Sequence, residues 1–287
     1  MTGRALVLGG GGLSGIGWTA GILYGLAEAG VGLWDADTVI GTSAGAVVGA
    51  QLTSGLLTPE GLYERQLAAP HGEIPGHLSP AGTFRHARAA LSARTPEDFG
   101  RTMGHIALAA DTPDEATRRA VIEGRLVSHD WPGRPLLVTA VRATTGEFRV
   151  FDRDSGVGLV DAVAASCAVP GVWPPVTIGD GRWIDGGVRS PANAQLAEGY
   201  DRVVVVAPVA TGGGALASAR SQAERLSASG ARVALVTPDR TTRKAMGHNS
   251  LDPSYRAPAA RAGREQAAAH AAEVARVWGR LSKGRRR

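Results

Sequence analysis

Two periods run through the apolar positions of this chain. Arg4-Ala5-Leu6-Val7-Leu8 is a short apolar run that ends on four glycines, residues 9–12, and reads as a buried strand. Between residues 15 and 29, Ile16, Ala20, Ile22, Leu23, Leu26 and Ala27 recur at helical spacing, and Gly30 closes that helix. Thr38-Val39-Ile40 is a second short strand leading into a tight turn at residues 41–45, and residues 44–56 return to helical spacing. The succession is βαβα, which predicts an α/β fold with a parallel sheet covered by helices.

Residues 57–135 are less regular. A stretch rich in Gly, Pro and His (residues 70–82) precedes helical patterns over 83–93, 96–109 and 113–124. The segment reads as a helical insertion after the second helix, or a cap over the site. Residues 136–142 and 147–152 read as strands joined by a turn at Thr144-Thr145-Gly146, and a helix over 159–168 stops before Pro170. Val176-Thr177-Ile178 and Arg182-Trp183-Ile184 flank Gly179-Asp180-Gly181, an Asp-Gly hairpin turn. Two more buried strands, 202–208 and 232–237, enclose a helix over 215–229. An Ala/Arg-rich helix covers 256–281, with Val274, Val277, Trp278 and Leu281 as its apolar stripe, and a basic tail runs to residue 287. No internal repeat is visible, and residues 1–287 read as a single domain.

Composition narrows the class. Over 287 residues, 44% are hydrophobic and 20% charged, which permits a well-buried core and argues against wholesale disorder. A single cysteine excludes an intrachain disulfide, and no histidine pair has metal-ligand spacing, so no metal or cofactor is expected. The first residues lack the charged region and apolar run of a secretory signal, and no stretch approaches the roughly 18 apolar residues of a membrane span. A soluble cytoplasmic protein is the expectation. Net charge is +5, concentrated in the tail "KGRRR". Cations suit a helix C-terminus, and with no long Lys/Arg block and few aromatics no nucleic-acid partner is expected.

Two stretches carry candidate chemistry. Gly10-x-Gly12-x-x-Gly15 comes after a strand and opens a helix, which matches the dinucleotide-binding fingerprint. That fingerprint requires an acidic residue after the second strand. Asp35 and Asp37 precede the strand instead. Directly after it stands Gly41-Thr42-Ser43-Ala44-Gly45, the G-x-S-x-G spacing of a nucleophile elbow. Both turns fall on the same edge of a parallel sheet. The loop then reads as an oxyanion hole, because Gly10, Gly11 and Gly12 have no side chains to keep a substrate from their peptide N–H groups.

A serine hydroxyl needs a base within hydrogen-bond reach. Seven histidines are present: His71, His77, His86, His105, His129, His248 and His270. Only His248 and His270 come late enough for the order Ser, acid, His. His270 falls inside the C-terminal helix, and His248 falls in a polar segment. The other candidate is Asp185, which ends the returning strand of the hairpin and precedes Gly186 and Gly187. Cys167, among Ala165, Ser166, Ala168 and Val169, reads as a buried inert thiol.

The glycine loop at 9–15, "GTSAG" at 41–45, "AASCAVPGVWPPVTI" at 164–178 and "DGG" at 185–187 resemble, in that order, the blocks of the patatin-like phospholipase family. The resemblance covers about residues 4–210. It implies a three-layer α/β/α fold with a mostly parallel sheet and no cofactor. It also implies a lipid- or acyl-ester hydrolase with a Ser43–Asp185 dyad and an oxyanion hole from Gly10, Gly11 and Gly12, supported by Gly15, Gly41, Gly45, Gly186 and Gly187. A lipid substrate would require peripheral membrane contact. Where the family's loop usually carries Arg or Lys before its last glycine, this chain has Ser14. Acyl transfer to an alcohol instead of water uses the same motifs.

Overall fold

The computed structural model describes residues 3–69 and 72–279. His71, Leu281 and the basic tail lie outside them. Eight strands form one sheet: β1 (Arg4–Leu8), β2 (Thr38–Gly41), β3 (Leu136–Arg142), β4 (Phe148–Phe151), β5 (Val176–Ile178), β6 (Gly181–Asp185), β7 (Arg202–Val206) and β8 (Arg232–Val236). Their order is β5-β6-β3-β2-β1-β7-β8, with β4 also paired to β3. β3, β2, β1, β7 and β8 run parallel; β4 and β6 each pair antiparallel with β3, and β5 pairs antiparallel with β6.

Alternation along the strands builds a core on each face. Leu6, Leu8, Val204 and Val206 point into the larger core, with α1 (Gly12–Glu28), α2 (Ala44–Thr53), α7 (Leu159–Ser166) and α10 (Arg256–Trp278). Ala5, Val7, Val203 and Val205 point to the other, under α8 (Ala219–Ala228). This is the three-layer arrangement with a mostly parallel sheet.

The segment 57–135 is distributed over both faces. α3 (Pro59–Leu67) packs on α1, and α6 (Glu115–Arg125) packs against α7. α4 (Pro80–Ser92) and α5 (Pro96–Leu108) join Val141 and Ile184 in a third apolar cluster beside β3 and β6. A short α9 (Arg240–Ala245) completes the set.

α1 and α10 approach more closely than ordinary side chains allow. A Cβ on Gly17, Gly21 or Gly25 would overlap the carbonyl of Arg256, Ala260 or Arg264 in turn. Glycine every fourth residue lines one face of α1 and lets the two backbones touch. Gly21→Ala is expected to lower the denaturant midpoint at unchanged slope, by about 1–3 kcal/mol of stability, because the facing backbone cannot yield as a side chain would.

Candidate active site

Register along β3 explains how two distant residues meet. β4 pairs with residues 138–141 of β3, overlapping the stretches that pair with β2 (136–138) and β6 (140–142). β4 therefore occupies one edge of β3, and β2 and β6 share the other. They arrive from opposite directions: β2 ends at Gly41 beside Val138, and β6 ends at Asp185 beside Ala140. Ser43, two residues past the end of β2, thus faces Asp185 across a sequence separation of 142. Ser43 Oγ donates to Asp185 Oδ2 at 2.7 Å.

The turn around Ser43 is strained. Ser43 has φ 53° and ψ −114°, a left-handed conformation that costs a non-glycine residue on the order of 1–3 kcal/mol. Ser166 Oγ accepts the Ser43 N–H at 2.8 Å and helps hold the turn. The flanking glycines are required by close approach: a Cβ on Gly45 would overlap the Leu8 carbonyl, and one on Gly41 would lie 2.6 Å from Ala46 Cα. On the other side, a Cβ on Gly186 would overlap Thr139 Oγ1, and the Gly187 N–H donates to Asp185 Oδ1 at 2.7 Å.

Asn193 links these pieces from beneath. It is fully buried, with φ 51°, and its side-chain amide lies 3.0–3.3 Å from Thr42 Oγ1, Thr139 Oγ1 and the carbonyls of Gly186 and Ser190. Two N–H groups are shared among four acceptors that belong to the serine turn, β3 and the Asp185 block. No motif singles out Asn193 in the sequence, where it stands between two alanines in "SPANAQLA".

The glycine loop differs in one respect from the expectation for it. Gly10 donates its N–H to the Pro191 carbonyl at 2.8 Å, because the chain beyond β1 still runs beside residues 190–193 before it turns. Gly10 lines the cavity but offers no free donor. Among the described residues no acceptor meets the N–H groups of Gly11, Gly12 or Ala44. Gly12 (φ 62°) opens α1, so its N–H also sits at the positive end of the helix dipole. Gly15 donates its N–H to the Gly11 carbonyl and packs on Pro208.

Burial raises the Asp185 carboxyl to about 6. The Ser43 hydroxyl, the Gly187 N–H and the charge of Arg118 oppose that rise. Burial pushes the Cys167 thiol up to about 12, so it stays protonated and inert. Arg118 is 4% exposed and lies 3.9 Å over the Trp173 ring. Its Nε and Nη1 have no hydrogen-bond partner among the described residues. Burial and the nearby Arg125 lower its pKa to about 9, which leaves it charged at neutral pH. With Gly12, Leu13, Ser43 and Ala44, Arg118 lines a cavity of about 20 Å³, room for a single oxygen-sized atom. Ser14 is buried, with no partner for its hydroxyl among the described residues and its N–H donated to the Ser250 carbonyl. The cation near this site therefore comes from α6 and not from the glycine loop, a placement with no local signal in the sequence.

Ser43 and Asp185 open onto a larger cavity of about 710 Å³ with mostly apolar walls, among them Leu78, Phe99, Met103, Val188, Leu216 and Leu251. α4 and α5 supply one wall. His77, His86 and His248 line it too, but His86 Nε2 bonds the Pro170 carbonyl and His248 Nδ1 the Tyr255 hydroxyl. His270 accepts from Gln266 on α10. Ser43 Oγ has a carboxylate as its partner, not a histidine. Asp35 and Asp37 engage Arg4 and Trp278 at the opposite end of β1 from the glycine loop, which removes them as ribose ligands. Among the described residues, no cluster of His, Cys, Asp and Glu could hold a metal ion, and no helix is long and apolar enough to cross a membrane.

A mostly parallel sheet between helical layers, with a strained serine turn and a glycine loop at the ends of two adjacent strands, defines a three-layer α/β protein. Residues 6–198 match the family model described as patatin-like phospholipase, and the chain belongs to that family. Two solved structures resemble it weakly, each at 15% identity. VipD from Legionella pneumophila has a TM-score of 0.36, with 66% of this chain and 47% of that chain covered. The type III effector protein ExoU has a TM-score of 0.42, with 95% and 53% covered. The chain spans about half the length of each. No curated protein matches it.

Proposed function

We propose that this chain is a serine acyl-ester hydrolase acting on lipid esters, with Ser43 as nucleophile and Asp185 as its base. The observation that carries this reading is the 2.7 Å hydrogen bond from Ser43 Oγ to Asp185 Oδ2 at the floor of an apolar cavity. Ser43 Oγ attacks the ester carbonyl carbon as its proton passes to Asp185. The carbonyl oxygen becomes an oxyanion facing the N–H groups of Gly11, Gly12 and Ala44. Collapse breaks the bond to the alcohol, which leaves with the proton from Asp185. Water then attacks the acyl-Ser43 ester, giving its proton to Asp185, and collapse releases the fatty acid and reprotonates Ser43.

A carboxylate is a weak base at its ordinary pKa near 3.9, and the rise to about 6 brings it closer to working pH. Each oxyanion donor is typically worth about 2.7–4 kcal/mol, so the backbone cradle supplies much of the acceleration. Arg118 adds a desolvated positive charge on the far side of the small cavity. Its Nε and Nη1 lack hydrogen-bond acceptors among the described residues, and a developing oxyanion would supply one.

A fluorophosphonate probe tests the reading. It is expected to label Ser43, with a rate that rises as pH climbs through about 6 and levels above it, tracking ionisation of Asp185. Labelling at another residue, or none in the folded protein, rejects the assignment. Arg118→Met is expected to lower kcat on a neutral p-nitrophenyl ester by roughly 10- to 100-fold with KM little changed, as for loss of one transition-state contact. It also moves the acid limb to higher pH, because Arg118 holds the Asp185 pKa down. A variant with parent kcat and an unmoved limb removes Arg118 from the mechanism.

A further inference from the structure

α4 presents an outer face whose chemistry does not suit a solvated helix. Its inner face is set by Gly82 and Ala89, both buried. At 100° per residue the opposite pole carries Phe84, Arg88 and Leu91. Phe84 is 69% exposed and Leu91 87%. Single exposed apolar residues are ordinary, but these two share one stripe with an arginine between them. Residues 80–95 hold Arg85, Arg88 and Arg94, all exposed, and no Asp or Glu. The same helix reaches the large cavity through Thr83 and His86, and the exposed Val209 lies on that cavity's rim.

We propose that the outer face of α4 is the docking surface by which this protein sits on an anionic lipid bilayer, with the cavity opening beside it. The proposal rests on the lipid-ester hydrolase reading for its purpose, though not for its chemistry. Apolar anchors inserted among basic residues are what an interfacial helix uses: the side chains enter the acyl boundary and the guanidinium groups meet lipid phosphates. A second copy of the chain is the poorer occupant. A twofold contact through this stripe would set like-charged arginines against each other, and two apolar side chains fall far short of the roughly 800 Å² per partner of a stable dimer.

The test is sedimentation of the full chain with vesicles of phosphatidylcholine plus phosphatidylglycerol, and with phosphatidylcholine alone. Binding to the anionic vesicles is expected, weakened by salt and by removal of phosphatidylglycerol. The double variant Phe84→Ser/Leu91→Ser is expected to partition roughly tenfold or more weakly, with vesicle-lipid hydrolysis falling in step. Turnover of soluble p-nitrophenyl butyrate and fluorophosphonate labelling stay at parent levels, because neither side chain lines the cavity. Arg85→Gln/Arg88→Gln is expected to lose the preference for anionic vesicles. The proposal is overturned if the double serine variant partitions like the parent or if the parent ignores anionic vesicles. A parent dimer that the variant splits overturns it equally. A parent that binds vesicles through α4 yet neither labels nor turns over soluble ester keeps the docking surface and rejects the hydrolase reading, so the two failures are distinct.

Discussion

Ser43→Ala is expected to lower kcat on p-nitrophenyl esters by roughly 10⁴- to 10⁶-fold, the loss seen when a nucleophile that works as a unit with its base is removed. The fold should survive the change. The Ser43 N–H bond to Ser166 and the packing of α2 do not involve the hydroxyl. Alanine keeps the cost of the left-handed turn, since its Cβ faces the same backbone clash as that of serine. The variant loses one buried hydrogen bond and leaves Asp185 Oδ2 without its donor, so it should unfold slightly more easily above pH 6 while losing turnover outright. Comparable turnover by wild type and variant in matched assays would show that the ester chemistry occurs elsewhere.

Asp185→Asn is expected to separate activity from stability. Turnover falls by at least about 10³-fold, because an amide cannot accept the Ser43 proton. Stability rises at pH 8. The carboxyl pKa is higher in the folded chain, about 6, than in the unfolded chain, near 3.9. Its contribution to stability is therefore complete below about pH 4 and lost as pH rises through 6, leaving a buried charge as a burden at alkaline pH. Asparagine fits the same bonds without that charge: its carbonyl can accept from Gly187 and its amide can donate to Ser43. The expected gain at pH 8 is on the order of 2–3 kcal/mol, absent at pH 4, as read by urea midpoints at the two pH values. A variant less stable than the parent at pH 8 would contradict the buried, partly desolvated carboxylate on which the proposed base depends.

The elements themselves were largely legible in the chain. β1, β2, the β5–β6 hairpin and β7 arise from short apolar runs bounded by glycine, aspartate or proline, and those signals act over a few residues. α1 begins at Gly12, three residues before the expected start at residue 15; Leu13 in its first turn is buried in the same core as Ile16, Ala20 and Leu23, behind a run of glycines that reads as loop. α3 was hidden within an irregular segment by its mostly polar surface. Its signal was Thr58 with Pro59 after it, a cap and a first-turn proline, and the Thr58 side chain does accept the Gly61 N–H. α2 ends at Thr53, short of residue 56, where the chain turns away through Ser54 and Gly55.

By itself the sequence determined the kinds of local structure and the kinds of chemistry available: a serine in a turn that demands glycine neighbours, a carboxylate at a strand end, and a loop of bare peptide. Each is encoded by residues a few positions apart. The tertiary structure alone decided that β2 and β6 share one edge of β3, which brings Ser43 against Asp185. It also decided that Pro191 takes the Gly10 donor while Gly11 and Gly12 meet no acceptor among the described residues, that Asn193 braces the turn, and that Arg118 of α6 brings a buried charge beside Ser43. These outcomes depend on contacts between residues scores of positions apart, and on burial, which sets how strongly a charge is felt. Local periodicity carries information about neither.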